Sequence, residues 1–476
     1  CKSIAAKYDL YDNACLQTTV TELYWDESVQ RWIVITDRGD RMKAKFVSLA
    51  NGFLQKPKLP GIPGIDKFKG KMFHTCRWDY EYTGGDSTGG DISRDGPMNL
   101  TGLTDKRVGI IGTGATAVQA VPHLGHSAKE LFVFQRTPSS VGIRANAPTD
   151  PEWAKSLQEG WHQERMDNFL LLTAGGYADK DLVNDGWTEI SATLVDLIMS
   201  DPSGDMSPEA IDKKVELADF VNMEKVRARV SEIVNDPETA ELLKPYYRQF
   251  CKRPCFHDHY LQTFNLPNVK LVDTKGQGVE RVTETGVVVD GEAYPIDCLI
   301  LSTGFEVGTD YASRAGFDPV GRSGLSLTEY WKDGARTMHG IHMHNFPNCY
   351  MMGITQSGFT VNFMHMIDAQ AKHIAYTINK CLEEKVDVLE VTQEAEQAWT
   401  QEVYERGAKT IEFASNCTPG YYNGEGKGSP TARQDGFYFG DQPTDYTNLL
   451  EAWRDSGDFA GMTRHQATSD EKEMSL

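Results

Sequence analysis

The sequence contains no long apolar run and no block of basic residues. None of its apolar stretches approaches the roughly 20 residues that span a bilayer. Its 48 Lys and Arg are outnumbered by 68 Asp and Glu, which gives a formal net charge of −20. These absences argue against a membrane-spanning protein, and against nucleic acid or anionic membranes as main partners.

The sequence also lacks the paired cysteines of a disulfide scaffold. Nine Cys are scattered singly along 476 residues, which is typical of reduced thiols in an intracellular protein. Residues 1–3 resemble interior sequence and not a signal peptide. We therefore expect a soluble cytoplasmic protein whose cysteines are reduced.

The length and composition are those of a globular chain with two or three domains. Apolar residues make up 40% and charged residues 24% of the sequence, so large cores can be buried. In the first segment, residues 15–20, 31–37 and 42–49 alternate apolar and polar side chains or run β-branched. Turn-forming residues separate these stretches, so they predict a β-meander.

Residues 107–137 predict a strand, a turn, a helix and a second strand in succession. An apolar run at residues 108–111 is followed at once by a Gly-x-Gly-x-x-Ala turn and an amphipathic helix. In such a unit the first Gly makes the tight turn, the second lets a pyrophosphate approach the backbone, and the helix N-terminus attracts the phosphates. The predicted dinucleotide contacts are Gly112, Thr113, Gly114, Ala115, Thr116, Ala117 and Gln119.

The end of the second strand indicates which dinucleotide binds. NAD sites place an acidic residue here to bond the ribose 2′-hydroxyl. Arg136 and Thr137 stand here instead. A guanidinium is a rigid fork of donors suited to a 2′-phosphate, so the sequence favours NADPH. The alternative is that Arg136 only pairs with a surface acid.

Three helix starts follow. Asp150, Ser207 and Asp236 each precede a Pro and then a Glu, the pattern of an N-cap, a proline at the first helical position and an acid in the first turn. They predict a helical insertion at residues 145–247. Further elements are predicted as strands at residues 269–272, 281–289 and 298–302 and as a long helix at 361–384.

Residues 68–79 resemble a family fingerprint. Phe68, Gly70, His74, Trp78 and Asp79 match every fixed position of the pattern Phe-x-Gly-x-x-x-His-x-x-x-Trp-Pro/Asp of Baeyer–Villiger monooxygenases. The resemblance extends over essentially the whole chain. Two turns, at residues 50–52 and 303–305, resemble those where the FAD and NADP domains of the family connect.

The resemblance implies an α/β fold with two dinucleotide-binding, Rossmann-like domains and a helical insertion. The family also begins with a Gly-x-Gly-x-x-Gly unit for FAD and an Asp after it, and this sequence has neither. We therefore expect the FAD-binding domain to lack its N-terminal half, roughly 100 residues. The implied segments are residues 1–100 for the remaining FAD part, 101–144 and 248–305 for the NADP domain, 145–247 for the insertion, and 306–476 for the C-terminal part.

The family reaction is the conversion of a ketone to an ester or lactone with NADPH and O₂, through a C4a-peroxide on bound FAD. By resemblance, Arg253 stabilises negative charge on the reacting oxygen, and Lys252 joins Arg136 and Thr137 around the 2′-phosphate. Asn362 and Phe363 fall where the family contacts the flavin ring. Residues 418–423 resemble a fungal branch that oxidises bulky polycyclic ketones, which implies a role in secondary metabolism.

The fingerprint residues have two interpretations. In the family His74 and Trp78 lie near the interdomain linker and not at the reacting atoms. We expect them to couple domain movement to catalysis, with a purely packing role as the alternative.

Other interpretations remain open on the residues alone. Cys251 and Cys255 could form a redox dithiol, although three residues separate them where a thioredoxin-like motif has two. Short His and Cys spacings could also hold zinc, although neither set matches a known zinc module and no metal is expected: Cys251, Cys255, His257 and His259 in one set, His339, His342 and His344 in the other.

Two further functions compete with ketone oxidation. One is a flavin monooxygenase that oxygenates nitrogen or sulfur, which shares the architecture but has a different fingerprint. The other is a non-catalytic NADP-binding remnant that never takes up FAD.

Overall fold

The computed structural model describes residues 1–88, 90, 92–358, 360–438, 440 and 444–466. The strands within these ranges are β1 (Val20–Asp26), β2 (Arg31–Thr36), β3 (Arg41–Ala44), β4 (Val47–Leu49), β5 (Lys71–His74), β6 (Arg107–Ile111), β7 (Glu130–Gln135), β8 (Val141–Gly142), β9 (Cys255–Phe256), β10 (Val269–Asp273), β11 (Arg281–Thr283), β12 (Gly286–Val289), β13 (Glu292–Pro295), β14 (Cys298–Leu301), β15 (Pro319–Val320), β16 (Cys349–Met351), β17 (Val388–Val391) and β18 (Met462–His465).

The α-helices in the same ranges are α1 (Lys2–Lys7), α2 (Tyr80–Thr83), α3 (Ile92–Asp95), α4 (Ala115–Ser127), α5 (Pro151–Ser156), α6 (Trp161–Thr173), α7 (Gly186–Met199), α8 (Pro208–Ile233), α9 (Pro237–Leu242), α10 (Tyr260–Thr263), α11 (Tyr311–Ala315), α12 (Leu327–Tyr330), α13 (Phe363–Glu383), α14 (Gln393–Arg406), α15 (Ala408–Ser415), α16 (Ala432–Asp435) and α17 (Asp445–Ser456).

A parallel sheet ordered β10-β7-β6-β14-β5 carries the predicted dinucleotide unit. The strand–turn–helix–strand prediction is confirmed, because β6, α4 and β7 follow one another as expected. Strand β5, at the edge of the sheet, is part of the fingerprint segment, and His74 stands opposite Leu301 at the carboxyl ends of β5 and β14. The fingerprint and the glycine-rich turn therefore belong to one sheet.

Both faces of this sheet are covered, which explains its continuous apolar strands. Val108 and Ile110 of β6 pack with α4 in one core cluster. Phe132 and Phe134 of β7 pack on the opposite face with residues of the antiparallel β11-β12-β13 sheet. The single strand predicted at residues 281–289 is thus two strands of that small sheet, β11 and β12.

The first segment forms the expected meander with different bounds. Strands β1, β2 and β3 pair antiparallel, and β15 joins β1 in parallel. The prediction of a strand at residues 15–20 is wrong, because the strand starts at Val20. Gln17 has φ 52°, a left-handed conformation that interrupts an extended strand, whereas Leu23 and Trp25 are buried in the core.

The strand predicted at residues 42–49 is divided between two sheets. Its first part is β3, paired with β2, and its second part is β4, paired in parallel with β16. A continuous apolar–polar alternation is compatible with pairing to one strand in its first part and to another strand in its second part. The sequence pattern therefore does not reveal where β3 ends and β4 begins.

The three predicted helix starts are confirmed. Side chains of Asp150, Ser207 and Asp236 accept hydrogen bonds from backbone amides of the first turns of α5, α8 and α9, at 2.9, 3.3 and 2.8 Å. Helices α5 to α9 occupy residues 151–242. The residue bounds proposed for the domains and the insertion stay a prediction.

The C-terminal part packs around the long helix α13, which confirms the helix predicted at 361–384. Helices α13, α14 and α17 contribute to one apolar cluster that includes Ile374, Trp399 and Trp453. Residues 467–476 of the predicted C-terminal segment lie outside the described residues. Within the described ranges, no helix combines the length and apolar character needed to cross a membrane.

Candidate functional site

The glycine-rich turn has the shape of a phosphate cradle. Gly112 has φ +110°, and a Cβ there would lie 2.3 Å from the carbonyl oxygen of Ser302, so only glycine is tolerated. A Cβ at Gly114 would meet nothing within 4 Å, and no side chain caps the first amides of α4. Free amides beside open space are what a pyrophosphate requires.

The other residues of the turn hold it in place. The Thr113 hydroxyl donates to the carbonyl of Thr137 at 2.7 Å, which ties the turn to the end of β7. Ala117 is fully buried between helix and sheet, as predicted for a small third residue. The Gln119 amide donates to the Ala115 carbonyl within α4 at 3.0 Å, and its contact with a dinucleotide stays a prediction.

Arg136 and Lys252 come together beside the turn, although they are far apart in sequence. Burial lowers the pKa of Lys252, and the nearby charge of Arg136 lowers it further, whereas Glu425 raises it. Arg136 Nη2 donates to Glu425 Oε2 at 2.9 Å, and Lys252 Nζ donates to the Pro419 carbonyl at 2.7 Å. The two cations that the resemblance assigns to the 2′-phosphate are therefore neighbours.

Glu425 also reaches the chain between the two Rossmann-like units. It pairs with Lys58 Nζ at 2.7 Å. The backbone amide of Lys58 donates to the Gly304 carbonyl at 2.9 Å, and the Thr303 hydroxyl donates to the Lys58 carbonyl. The turn at residues 303–305 is thus bonded to the segment that follows the turn at residues 50–52.

Cys251 and Cys417 form a disulfide bond, with their Cα atoms 5.1 Å apart. The expectation that all cysteines are reduced is therefore wrong for this pair; the other seven are free. The redox-dithiol interpretation of Cys251 with Cys255 is also wrong, because Cys251 has another partner. Cys255 is buried, which raises the pKa of its thiol to about 11.

Arg253 lies at the surface between aromatic side chains. Its guanidinium is 5.7 Å from the ring centroid of Trp187. Burial raises the pKa of Tyr421, and the charge of Arg253 opposes that rise, which places these side chains near each other. Among the described residues no carboxylate lies within ion-pair distance of Arg253. Its charge is available to a developing anion.

Most fingerprint residues act in packing. Phe68 joins the core cluster under β12, and a Cβ at Gly70 would lie 2.5 Å from the Asp297 carbonyl oxygen. Trp78 Nε1 donates to the Thr83 hydroxyl at 3.0 Å. The Asp79 carboxylate accepts from the Tyr82 amide at 2.9 Å and pairs with Lys71, so it caps α2.

His74 is the fingerprint residue that contacts a domain connection. Its ring packs edge-on against Phe305, with centroids 5.8 Å apart. Burial lowers the pKa of His74, so the imidazole is neutral near pH 7. Nδ1 accepts from the Cys76 amide at 3.2 Å. The contact with Phe305 agrees with a coupling role, which stays a prediction.

A cavity of about 380 Å³, open to solvent, lies between the helical insertion and the start of α13. Trp153, Trp161 and Phe169 line it from α5 and α6, and Asn362 lines it from the position just before α13. Asp185, which caps α7 next to Trp187, also reaches the cavity. The cavity thus reaches from the predicted flavin-ring contact at Asn362 to Asp185 at the start of α7.

The described residues fit only one side of an FAD site. Asn362 precedes α13 without capping it, and Phe363 packs edge-on against Phe53 at 5.6 Å, so an uncapped helix start faces the cavity. The Gly-x-Gly-x-x-Ala turn of this sequence belongs to the five-stranded sheet. The described residues therefore suit the flavin ring and offer no second pyrophosphate cradle.

The two histidine and cysteine sets do not assemble as zinc sites. Among the described residues, no three His, Cys, Asp or Glu side chains converge as metal ligands. His342 Nε2 instead lies 3.1 Å from His373 Nε2, and His344 Nδ1 lies 3.5 Å from a Glu390 oxygen. The zinc interpretation has no support in this geometry.

Sequence reasoning missed several residues of the site: Lys58, Trp187, Cys417, Tyr421 and Glu425. The motif at residues 418–423 could have indicated the last three, because they lie in it or beside it. The residues of the NADP domain that this motif contacts could not be predicted from the spacing of residues in the sequence.

The flavin-binding monooxygenase-like family matches residues 1–152 of the chain. Together with the dinucleotide turn and the cation pair, this match defines the class: the protein is a flavin- and NADPH-dependent monooxygenase. Much closer relatives place it within that class.

Pentalenolactone D synthase of Streptomyces exfoliatus is 50% identical over 466 residues, which cover 97% of this chain and 78% of the relative. Baeyer-Villiger monooxygenase ATR8 of Stachybotrys chlorohalonatus is 48% identical over 465 residues, covering 98% and 73%. A solved polycyclic ketone monooxygenase from Thermothelomyces thermophila is 39% identical with a TM-score of 0.86, covering 97% and 76%.

The chain belongs to the Baeyer–Villiger monooxygenase family, as the fingerprint predicts. The enzyme uses FAD and NADPH; one solved relative is a complex with FAD and NADP, and another is bound to NADP. Oxygenation at nitrogen or sulfur fits these relatives less well than ketone oxidation does. The expected N-terminal incompleteness of the FAD-binding domain is not confirmed by these alignments and stays a prediction.

Proposed function

We propose that the enzyme converts a bulky, polycyclic ketone to an ester or lactone with NADPH and O₂. The observation that carries this proposal is the aromatic cavity of about 380 Å³ beside Asn362. Such a volume suits a compact ligand of drug-like size. Indole and phenyl side chains provide the apolar surface that a fused-ring skeleton would bury.

The proposed roles on the NADPH side follow from geometry. The turn at Gly112 and Gly114 holds the pyrophosphate, because it offers free amides and space. Arg136 and Lys252 hold the 2′-phosphate by charge, and Thr137, the residue after Arg136, adds a hydroxyl donor. These residues bind and orient the dinucleotide and take no part in the chemistry.

The proposed role of Arg253 is electrostatic. FAD, when bound, would carry the reducing equivalents of NADPH to O₂, so that one oxygen atom of O₂ enters the product and the other leaves as water. Arg253 offers fixed positive charge where negative charge develops on the reacting oxygen. Trp187 beneath the guanidinium restricts its position and shields one face from water.

The names of two relatives support the proposal that the substrate is a large ketone. One is a pentalenolactone D synthase, and a solved neighbour is a polycyclic ketone monooxygenase. We infer that this chain, too, acts on a fused-ring ketone, in secondary metabolism. Ketone and O₂ are then its small-molecule partners.

A panel of ketones of graded size tests the proposal. The chain is purified, supplied with FAD and NADPH, and offered cyclohexanone, a bicyclic ketone and a steroid ketone under ¹⁸O₂. We expect lactones with one labelled oxygen, and higher kcat/KM for the larger ketones. Products from a sulfide or an amine in place of lactones would favour the alternative oxygenase. A colourless protein that binds NADPH and never takes up flavin would favour the non-catalytic remnant.

We also propose the domain bounds predicted from the sequence, with the insertion at residues 145–247. The support is that helices α5 to α9 fall within residues 145–247, whereas the strands of the five-stranded sheet come before and after this range in the sequence. Limited proteolysis should cut first near 145 and 247. Primary cuts within β6 or α4 would contradict these bounds.

We propose a cytoplasmic location as well: seven of the nine cysteines are free, although the Cys251–Cys417 disulfide is a kind of bond that is rare in the cytosol. Fractionation of the producing cells tests it; recovery of the enzyme from the culture medium would refute it.

A further inference from the structure

Three cations surround one carboxylate at the edge of the dinucleotide site. Glu425 pairs with Arg136 at 2.9 Å and with Lys58 at 2.7 Å, and its charge also acts on Lys252. Burial raises the pKa of Glu425, but hydrogen bonds and charges from Lys58 and Arg136 outweigh it and keep the pKa below its ordinary value. The carboxylate is therefore ionised near pH 7.

Glu425 adopts a backbone conformation that glutamate disfavours. Its φ is 60°, and Gly424 before it has φ 61°. A non-glycine residue in this left-handed region is retained only where its surroundings fix it, and such residues cluster at functional sites. Here the conformation directs the carboxylate toward Arg136.

Several bonds hold this segment against the NADP side. The Asn423 amide oxygen accepts from the Gly420 and Gly426 amides, at 3.0 Å each. The carbonyl of Pro419 accepts from Lys252, and the disulfide joins Cys417 to the residue before Lys252. The position of Glu425 is thus built by the fold and is not that of a freely moving surface side chain.

We propose that Glu425 is a specificity-determining residue whose carboxylate competes with the 2′-phosphate of the dinucleotide for Arg136 and Lys252. This inference rests on the proposed NADPH site. A phosphate carries more charge and more acceptor oxygens than a carboxylate, so it displaces Glu425. A dinucleotide without the phosphate leaves the Arg136–Glu425–Lys58 bridge intact.

The bridge adds a consequence for the linker. Lys58 belongs to the segment bonded to Gly304. Displacement of Glu425 from Arg136 therefore breaks the link between the end of β7 and this segment. NADPH would break the Arg136–Glu425–Lys58 bridge and NADH would leave it intact, so the two dinucleotides differ in this contact as well as in affinity.

Calorimetric binding of 2′,5′-ADP and of 5′-AMP tests the proposal without any turnover. Glu425→Gln should tighten 2′,5′-ADP about two- to fivefold, the effect of one partly exposed ion pair, and leave 5′-AMP unchanged. Glu130→Gln is the matched control, because Glu130 pairs with Lys270 at the other end of β7 and has the same 28% side-chain exposure. The control should bind both ligands as the wild type does.

Weaker or unchanged binding of 2′,5′-ADP by Glu425→Gln would overturn the proposal, since weaker binding would mean that Glu425 prepares Arg136 for the phosphate. Arg136→Ala separates this failure from a failure of the NADPH site. If Arg136→Ala weakens 2′,5′-ADP while Glu425→Gln does not tighten it, the site stands and the competition is refuted. If Arg136→Ala has no effect, the phosphate site itself is elsewhere, and the competition falls with it.

Lys58→Met gives a second measure with the opposite sign. Without Lys58 the carboxylate pairs with Arg136 alone, so 2′,5′-ADP should bind more weakly. In the Glu425→Gln background the same change should have no effect, because Lys58 acts through Glu425. An equal loss in both backgrounds would contradict the proposal, since it would show direct contact between Lys58 and the phosphate.

Discussion

The guanidinium of Arg253 lies over the indole of Trp187, 5.7 Å from the ring centroid, without a carboxylate beside it among the described residues. An aromatic face attracts a cation without neutralising it. The arrangement fixes the position of the charge and leaves it available to an anion. This distinguishes Arg253 from Arg136, which is paired with Glu425.

Replacement of Arg253 tests its catalytic role. We expect Arg253→Ala to permit reduction of the flavin by NADPH and to lower lactone formation by about 10²–10³-fold, the usual effect of removing one preorganised charge or donor. Stopped-flow flavin reduction and product analysis separate the two steps. Arg248→Ala is the control, since Arg248 stacks on Phe413 nearby; retained lactone formation by Arg253→Ala would refute the role.

The aromatic cavity predicts an effect on substrate size. Trp161→Ala removes an indole from the cavity wall, so KM for a steroid ketone should rise about tenfold, the equivalent of part of a ring's buried area. The value for cyclohexanone should change little, because a small ketone does not reach that wall. Steady-state kinetics with both substrates measure the difference, and Tyr8→Ala, at an exposed position, is the control. A uniform change for both ketones would place the substrate elsewhere.

The disulfide predicts a redox-dependent stability. It joins residues 166 positions apart, and a cross-link of this kind typically stabilises a fold by about 2–4 kcal/mol. Cys417→Ser, or treatment of the wild type with a thiol reductant, should therefore lower Tm by several degrees. Cys15→Ser, at an exposed free cysteine, should not. If thiol counting shows the bond reduced and Tm is unchanged, the cross-link does not stabilise the fold.

Three buried histidines predict loss of stability in acid. Burial lowers the pKa of His339 to about 4. Burial, together with the charges of His339 and Arg454, lowers the pKa of His373 to about 3. The pKa of His342 is also lowered, chiefly by burial. The unfolded chain binds these protons near pH 6.5 and the folded chain does not. Stability present above pH 6.5 is therefore lost as pH falls toward 4.

The expected slope is about 1.4 kcal/mol per pH unit for each histidine in that window. Thermal unfolding at intervals from pH 7.5 to 5 measures it. His373→Gln should reduce the slope of stability against pH by about 1.4 kcal/mol per pH unit, whatever its effect on absolute stability. His126→Gln, at an exposed position, should leave the slope unchanged. An unchanged slope in His373→Gln would contradict the prediction.

Local rules predicted the parts of the fold whose causes are local. The turn at Gly112 and the cap at Asp150 depend on residues within a few positions, and both are confirmed. The strand at Val20 was misplaced because the left-handed Gln17 carries no strong sequence signal. The division between β3 and β4 depends on β16, which is distant in sequence.

The site was predictable to a similar extent. Arg136 follows from its place at the end of β7, whereas Lys252 and Arg253 required the family resemblance. The pairs formed by Cys251 with Cys417 and by Arg136 with Glu425 join separate segments. Such pairs depend on the whole tertiary structure, and no spacing rule predicts them.

The bonded connections at Lys58 and Gly304 restrict how the molecule can move. If the two chain connections between the domains were independent, one domain could both twist and slide against the other. Because the two connections are hydrogen-bonded to each other, mainly a rotation about the line between them is left. We therefore expect a movement between the two segments to be mainly a rotation, and His74, whose ring contacts Phe305 beside this connection, to be placed where its packing can affect that rotation.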